Sequence, residues 1–270
     1  MVRKLSSLKL NMEKITLEYQ PFRFLKYTRT WQGSFPSTFA ELTPVQFIAI
    51  AKLINGTISE TGFLKIMTGI KKISTNLLSD FDRYSLMNLF DPFMDVKPHN
   101  AFIIPEIKTS GKIFCSPKSK MAGVTFAQFI FVESYFTDYQ TDKKPVDLYK
   151  FIASLYLPQN HSFNENEIAK NASLLSHTKP EILEAIVINY VLIREWLAKS
   201  YPIIFQQEEE TDEEKQKPKT HKNPGNSGWI KIFENIVGDD LINHDRYALL
   251  PLHNVLRWMI TKIIENIKRK

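Results

Sequence analysis

Two stretches of the chain bring carboxylates or imidazoles close enough together to raise metal or acid–base chemistry. The first, "SDFDRYSLMNLFDPFMD", carries Asp80, Asp82, Asp91 and Asp95. Two carboxylates at helical spacing offer oxygen ligands to a cation, but Asp80 and Asp82 point to different faces of a helix, and Asp80 is well placed as a helix cap. The second, "GDDLINHDRY", mixes Asp239, Asp240, His244 and Asp245. A metal would need these oxygens and the imidazole to converge in one short loop, and helix capping by Asp or Asn explains the same residues more simply. Cys115, the single cysteine, has no base or helix start beside it to hold a thiolate. The histidines at 99, 161, 177, 221, 244 and 253 are scattered. No phosphate-cradling glycine loop, Gly-x-Ser-x-Gly elbow, helical His-x-x-x-His pair or twin-cysteine motif occurs. The sequence therefore assigns no catalytic, cofactor-binding or metal-binding residue and implies no cofactor.

Composition narrows the class. At 270 residues and 43% hydrophobic, the chain can bury a substantial core in one or two domains. One cysteine excludes an intrachain disulfide and a cysteine-cluster zinc site, consistent with a reducing compartment. The net charge is +6, with basic residues gathered in the first thirty positions and in the terminal "KRK". Dispersed lysines on helical surfaces serve solubility, and no arginine-rich tract or RNA-binding signature predicts a nucleic-acid partner. No apolar run of signal-peptide length follows Arg3 and Lys4, so a cleaved secretion signal is not predicted. The most apolar segment, 181–197, is interrupted by Glu184, Asn189, Arg194 and Glu195. It reads as the central buried helix rather than a membrane span, with Asn189 needing an interior partner.

The elements follow from local signals. In "EKITLEY" and "FRFLKY" apolar and polar residues alternate, which predicts an N-terminal β-hairpin turned near Gln20 and Pro21, with "WQGSFPSTFAE" as the loop that follows. "ELTPVQF" is a helix start: Thr43 caps, Gln46 reaches back to its amide, Pro44 sits where no amide is needed, and Leu42 and Phe47 form a staple. The helix runs from about 44 to 55 and stops at Gly56. Val124, Thr125, Gln128 and Phe129 take the same four roles in "GVTFAQF", and Thr178 with Glu181 marks a third start. Ser59 caps a short helix through Met67; apolar spacing predicts helix across 74–90, ended by Pro92 and Pro98; another helix spans about 145–156. A second hairpin, turned at Ser110 and Gly111, is predicted near 101–116. From 206 to 228 the chain is acidic, then rich in lysine, proline and glycine, and reads as a disordered tether. The predicted class is mainly α: a β-rich segment 1–40, a helical core 41–205, the linker 206–228, and a tethered helical pair at 229–270.

Three stretches, "FPSTFAELTPVQF", "LYKFIASLYLP" and "GWIKIFENIVGDD", resemble patterns in tailed-phage and prophage proteins similar to the tail-assembly chaperones. That resemblance implies a non-enzymatic protein of the host bacterial cytoplasm, or of the virion, which binds tail or other virion components. An assembly chaperone that departs and a permanent connector or internal protein are both compatible with it; an enzyme of unknown type is the third class.

The C-terminal pair is the expected partner-binding surface. Trp229 and Phe233 lie on a short helix, and Leu252, Leu256, Met259, Ile260, Ile263 and Ile267 follow three-and-four spacing on a longer one. A unit of this size is marginal alone, so its apolar face must meet something. The long polar tether favours a second protein; folding back on the core and attachment to a membrane surface are the alternatives, the latter diluted by Asp239, Asp240 and Glu265.

Overall fold

A computed structural model describes residues 13–19, 29–69, 80–94, 98–205, 227–238 and 240–268. The fold is mainly α. It divides into two compact units, Met1–Lys97 and Pro98–Lys270, so the boundary falls inside the 41–205 core expected from sequence. Residues 206–226 of the expected tether lie outside the described residues, while Ser227 and Gly228 already belong to a helix.

In the first unit β1 (Glu13–Tyr19) pairs antiparallel with β2 (Arg29–Phe35), setting Leu17 opposite Trp31 and Glu13 opposite Phe35. The expected partner, 22–27, and its turn near Gln20 and Pro21 lie outside the described residues, while residues largely read as a loop supply the strand that pairs with β1. Alternation in "RTWQGSF" is interrupted by Gly33, which hides it from a pattern search. Helices α1 (Pro44–Ile54) and α2 (Glu60–Thr68) follow. The α1 start forms as the sequence predicts: the Gln46 amide donates to Thr43 Oγ1 at 3.3 Å and the Thr43 amide to Gln46 Oε1 at 3.0 Å. Gln46 Nε2 also donates to the Met67 carbonyl at 3.1 Å, so the capping residue ties α1 to α2. Ser59 caps α2 by accepting from the Gly62 amide. Beyond it stand α3 (Asp80–Asn88) and α4 (Asp91–Met94); Pro92 occupies the first turn of α4, where no amide is required, rather than ending the helical region. Phe90 joins the core, edge-on to Phe35 at 5.7 Å and Phe63 at 5.3 Å.

The second unit begins with an extended segment and the hairpin β3 (Glu106–Thr109) and β4 (Lys112–Cys115). Ser110 and Gly111 both take positive φ, 49° and 72°, as a tight two-residue hairpin turn requires. β5 (Leu157–Pro158), too short to be read from the sequence, pairs with β4. Helices α5 (Phe126–Asp142) and α6 (Pro145–Leu155) form a helical hairpin, joined through Lys143 in the left-handed conformation. They are followed by α7 (Ile168–Leu175), α8 (Pro180–Ser200) and α9 (Pro202–Phe205). Then come α10 (Ser227–Val237), α11 (His244–Ala248) and α12 (Leu252–Lys268).

Helix α8 is the buried centre that the sequence predicts. Asn189, fully buried, accepts from the Ile103 amide at 2.8 Å and donates to the Ala101 carbonyl at 3.0 Å, binding the extended segment across the helix. Tyr156 donates to the Ile104 carbonyl at 2.6 Å and continues this fixation. The third start differs from expectation. Pro180 takes the first helical position, so the cap falls to Lys179 and Thr178 stands one residue too early. The Thr178 hydroxyl is buried without a hydrogen-bond partner. Among the described residues no helix is long and apolar enough to cross a membrane.

These two polar groups predict opposite outcomes. Asn189→Ala strands two interior backbone groups and should destabilise by about 2 kcal/mol or more. Thr178→Val removes a hydroxyl that gains nothing from burial and should stabilise by up to about 1 kcal/mol. Denaturant midpoints of the two variants check both signs.

Candidate functional site

The site is built on α5, whose faces have different tasks. One stripe meets α8: Glu133, 3% exposed, accepts from the Tyr190 hydroxyl at 2.7 Å and from Arg194 Nε at 3.1 Å. Burial, and then the Glu133 carboxylate, hold the Tyr190 phenol well above its ordinary range, so it stays a donor. Arg194 is pushed up chiefly by the same carboxylate. Phe136 packs between this network and Phe151, with ring centroids 5.1 Å from Tyr190 and 5.3 Å from Phe151.

The N-terminus of α5 is where the C-terminal helices attach. Thr125 accepts from the Gln128 amide at 3.2 Å, which is half of the expected capping box. Gln128 does not reach back; its buried amide donates to the Ser154 carbonyl at 2.9 Å and ties α5 to α6. The chain's own C-terminal segment runs past instead, forming an antiparallel bridge between Thr125 and Pro251. The Phe126 amide donates to the Leu250 carbonyl at 2.8 Å, and the Leu252 amide to the Val124 carbonyl at 3.0 Å. Phe126 opens α5, so its amide has no partner within the helix, and the bridge supplies one. Pro251 occupies the position from which the bridge draws no amide.

Aromatic side chains complete the attachment. Trp229 lies edge-on to Phe129 at 4.9 Å and to Phe126 at 6.3 Å, and Phe233 meets Phe126 at 6.1 Å. His253 stacks on Tyr201, with Nδ1 2.7 Å from the Tyr201 hydroxyl and Nε2 against the Lys120 carbonyl. A carbonyl only accepts, so in this pairing Nε2 donates.

This geometry corrects the expected partner surface. Trp229, Phe233, Leu252, Leu256 and Met259 are buried within the second unit, where Phe126 and Phe129 needed cover. Ile260 and Ile263 are half-buried, and Ile267 is exposed. The apolar face was legible; its occupant was not, because that depends on the complementary face of α5.

A groove of about 780 Å³ opens beside the attachment. Ala127, Ile130, Phe131 and Ser134 form its α5 wall, one stripe at positions i, i+3, i+4 and i+7. The 161–167 segment forms the second wall, and residues of α10 and α11, among them Ile230 and Asp245, form the third with Leu249. Phe163 closes on Phe131, with ring centroids 5.6 Å apart. Local bonds shape the second wall: the Gln159 amide donates to the Ile113 carbonyl, His161 Nδ1 lies 2.9 Å from the Gln159 carbonyl, and Asn164 accepts from the Asn166 amide. The α5 stripe could have been read from helical spacing; the groove needs the C-terminal helices in place.

The residues first considered for chemistry do not converge. Asp80 pairs with Arg83 one turn on, and Asp91 lies in the first turn of α4. The Asp82 side chain, Asp95 and Asp239 lie outside the described residues. Asp240 accepts from Asn243 Nδ2 at 3.0 Å and from the Tyr247 hydroxyl at 3.2 Å, bonds that brace its own loop. His244 lies 3.5 Å from Asp245, its ring edge-on to Phe233 at 4.8 Å. Cys115 is half-buried on β4. Among the described residues no group of three or more His, Cys, Asp or Glu side chains is placed to hold a metal ion.

Comparison with family models, with curated proteins and with solved structures finds no match to this chain.

Ending the chain after Phe205 should expose Phe126 and Phe129, free the Phe126 amide and destabilise the second unit by on the order of 5 kcal/mol. Thermal unfolding followed by circular dichroism should show a large fall in midpoint. An unchanged midpoint would mean that the C-terminal helices contribute no cover.

Proposed function

We propose that this chain is a non-enzymatic assembly protein of a tailed phage or prophage, holding a tail or other virion component through apolar helical surface as a tail-assembly chaperone does. The observation that carries this reading is the open groove, whose Ile130, Phe131, Phe163, Ile230 and Leu249 present apolar surface beside polar rims. Leu249 is 66% exposed and Ile230 41%, and Trp258 and Ile267 add exposed apolar groups on α12. A contiguous apolar concavity of this kind suits a binding site better than an idle surface. The stretches that carry the resemblance fold as the capped α1, as α6 running into β5, and as α10, which lends Ile230 to the groove.

The test combines two measurements in the phage-producing bacterium. Affinity capture with the tagged protein should recover a tail or virion component, and Leu249→Asp with Ile230→Asp should reduce that recovery at least about ten-fold. Quantitative mass spectrometry of purified particles then separates a departing chaperone from a permanent component. Near absence from the particle fits the chaperone, and stoichiometric copies mark a structural protein. Recovery of no virion component, together with absence from particles, would overturn the assembly reading.

A further inference from the structure

The groove rim has the opposite sign to the chain. The protein carries a formal net charge of +6, yet Glu165, Glu167 and Asp245 line the groove and, among the described residues, no lysine or arginine does. The same sign continues along α5. Tyr135, whose ring centroid is 6.3 Å from that of Phe131, has its phenol pushed up by burial first and then by Asp138, Asp147 and Glu165. The Asp138 carboxyl is raised by burial first, then by Asp147 and Asp142. Lys150 over the Tyr135 ring and Lys144 beside Asp142 oppose this field.

Shape limits how a ligand is held. Among the described residues the lining comes from helices, from Leu249 and from the 161–167 segment, and none from a strand, so they offer no sheet edge for strand addition. What the groove offers is apolar side chains, from the buried Ile130 to the exposed Leu249, alongside the carboxylates of Glu165, Glu167 and Asp245. A carboxylate rim repels phosphodiester backbones and anionic bilayers.

We propose that the groove takes an amphipathic helix of a partner protein, with apolar or aromatic residues at i, i+3, i+4 and i+7 seated on Ile130, Phe131 and Ile230 and with lysine or arginine on its flanks facing Glu165, Glu167 and Asp245. The inference rests on the groove being a partner site and adds the chemistry of that partner. Opposite charges at the rim steer encounter and set register, while the apolar anchors supply most of the affinity.

Fluorescence anisotropy with the full chain tests this on two short labelled helical peptides. They share the same leucine and phenylalanine positions, with lysine at the polar positions of one and glutamate in the other. The lysine peptide should bind at least about ten-fold more tightly, with the difference shrinking as salt rises. Glu165→Lys with Glu167→Lys should erase the preference; both positions are solvent-accessible, and circular dichroism verifies the fold. Leu249→Asp should weaken the glutamate peptide further. Equal binding of the two peptides, or a preference that survives the double lysine variant, would overturn the proposal. If a virion component is captured and the peptides show no preference, the basic-helix inference falls while the assembly reading stands. Selective lysine-peptide binding with no virion component captured supports the basic helix and counts against the assembly reading.

Discussion

Helix α5 carries more apolar surface than residues 98–205 can cover, and that excess governs the second unit. Its inner stripe is closed by α6 and α8 through Gln128, Glu133 and Phe136. Phe126 and Phe129 are left for Trp229 and Phe233. An aromatic pair exposed at the start of a helix is costly, and so is the first amide of that helix when nothing accepts from it. The C-terminal segment removes both costs at one place. The bridge of Thr125 with Pro251 fixes its direction, and the rings fix its depth.

The groove is a consequence of that attachment. The next stripe of α5, Ala127, Ile130, Phe131 and Ser134, forms one wall of it, and residues of α10 and α11 line another. Its floor is therefore formed by parts far apart in sequence. Buried polar groups elsewhere in the unit hold this arrangement in one register. Asn189 binds the 101–103 segment, and Glu133 aligns Tyr190 with Arg194. Such groups add less to net stability than apolar burial, and removing one partner is the expensive change.

Local signals were legible wherever the physics was local. Thr43 directly precedes Pro44 and forms the full box; Thr178 is separated from Pro180 by Lys179 and forms none. The Ser110–Gly111 turn marked its hairpin because two consecutive positive φ angles demand such residues. Non-local pairing was less readable. β1 pairs with "RTWQGSF", where Gly33 interrupts the alternation and most of the residues read as a loop. Gln128 had two possible partners, the Thr125 amide and the Ser154 carbonyl, and its side chain takes the carbonyl inside the core. The amphipathic face of α12 was plain at three-and-four spacing, whereas the face it covers could not be identified from one sequence. Of the groove, only the 127–130–131–134 stripe had a sequence signature.

The central claim is that the C-terminal segment covers α5 of the same chain. Non-hydrogen-bonded antiparallel pairs place their Cα atoms about 4.5 Å apart, within the disulfide range of about 4.4–6.8 Å. Because Cys115 is the single cysteine, a Cys115→Ser chain carrying Thr125→Cys and Pro251→Cys reports on one pair alone. Mild oxidation of this variant at high dilution should give an intrachain disulfide in monomeric protein, seen as faster migration on non-reducing gels and a mass loss of two hydrogens. Persistence of two free thiols, or crosslinked dimers as the main product, would contradict docking within one chain.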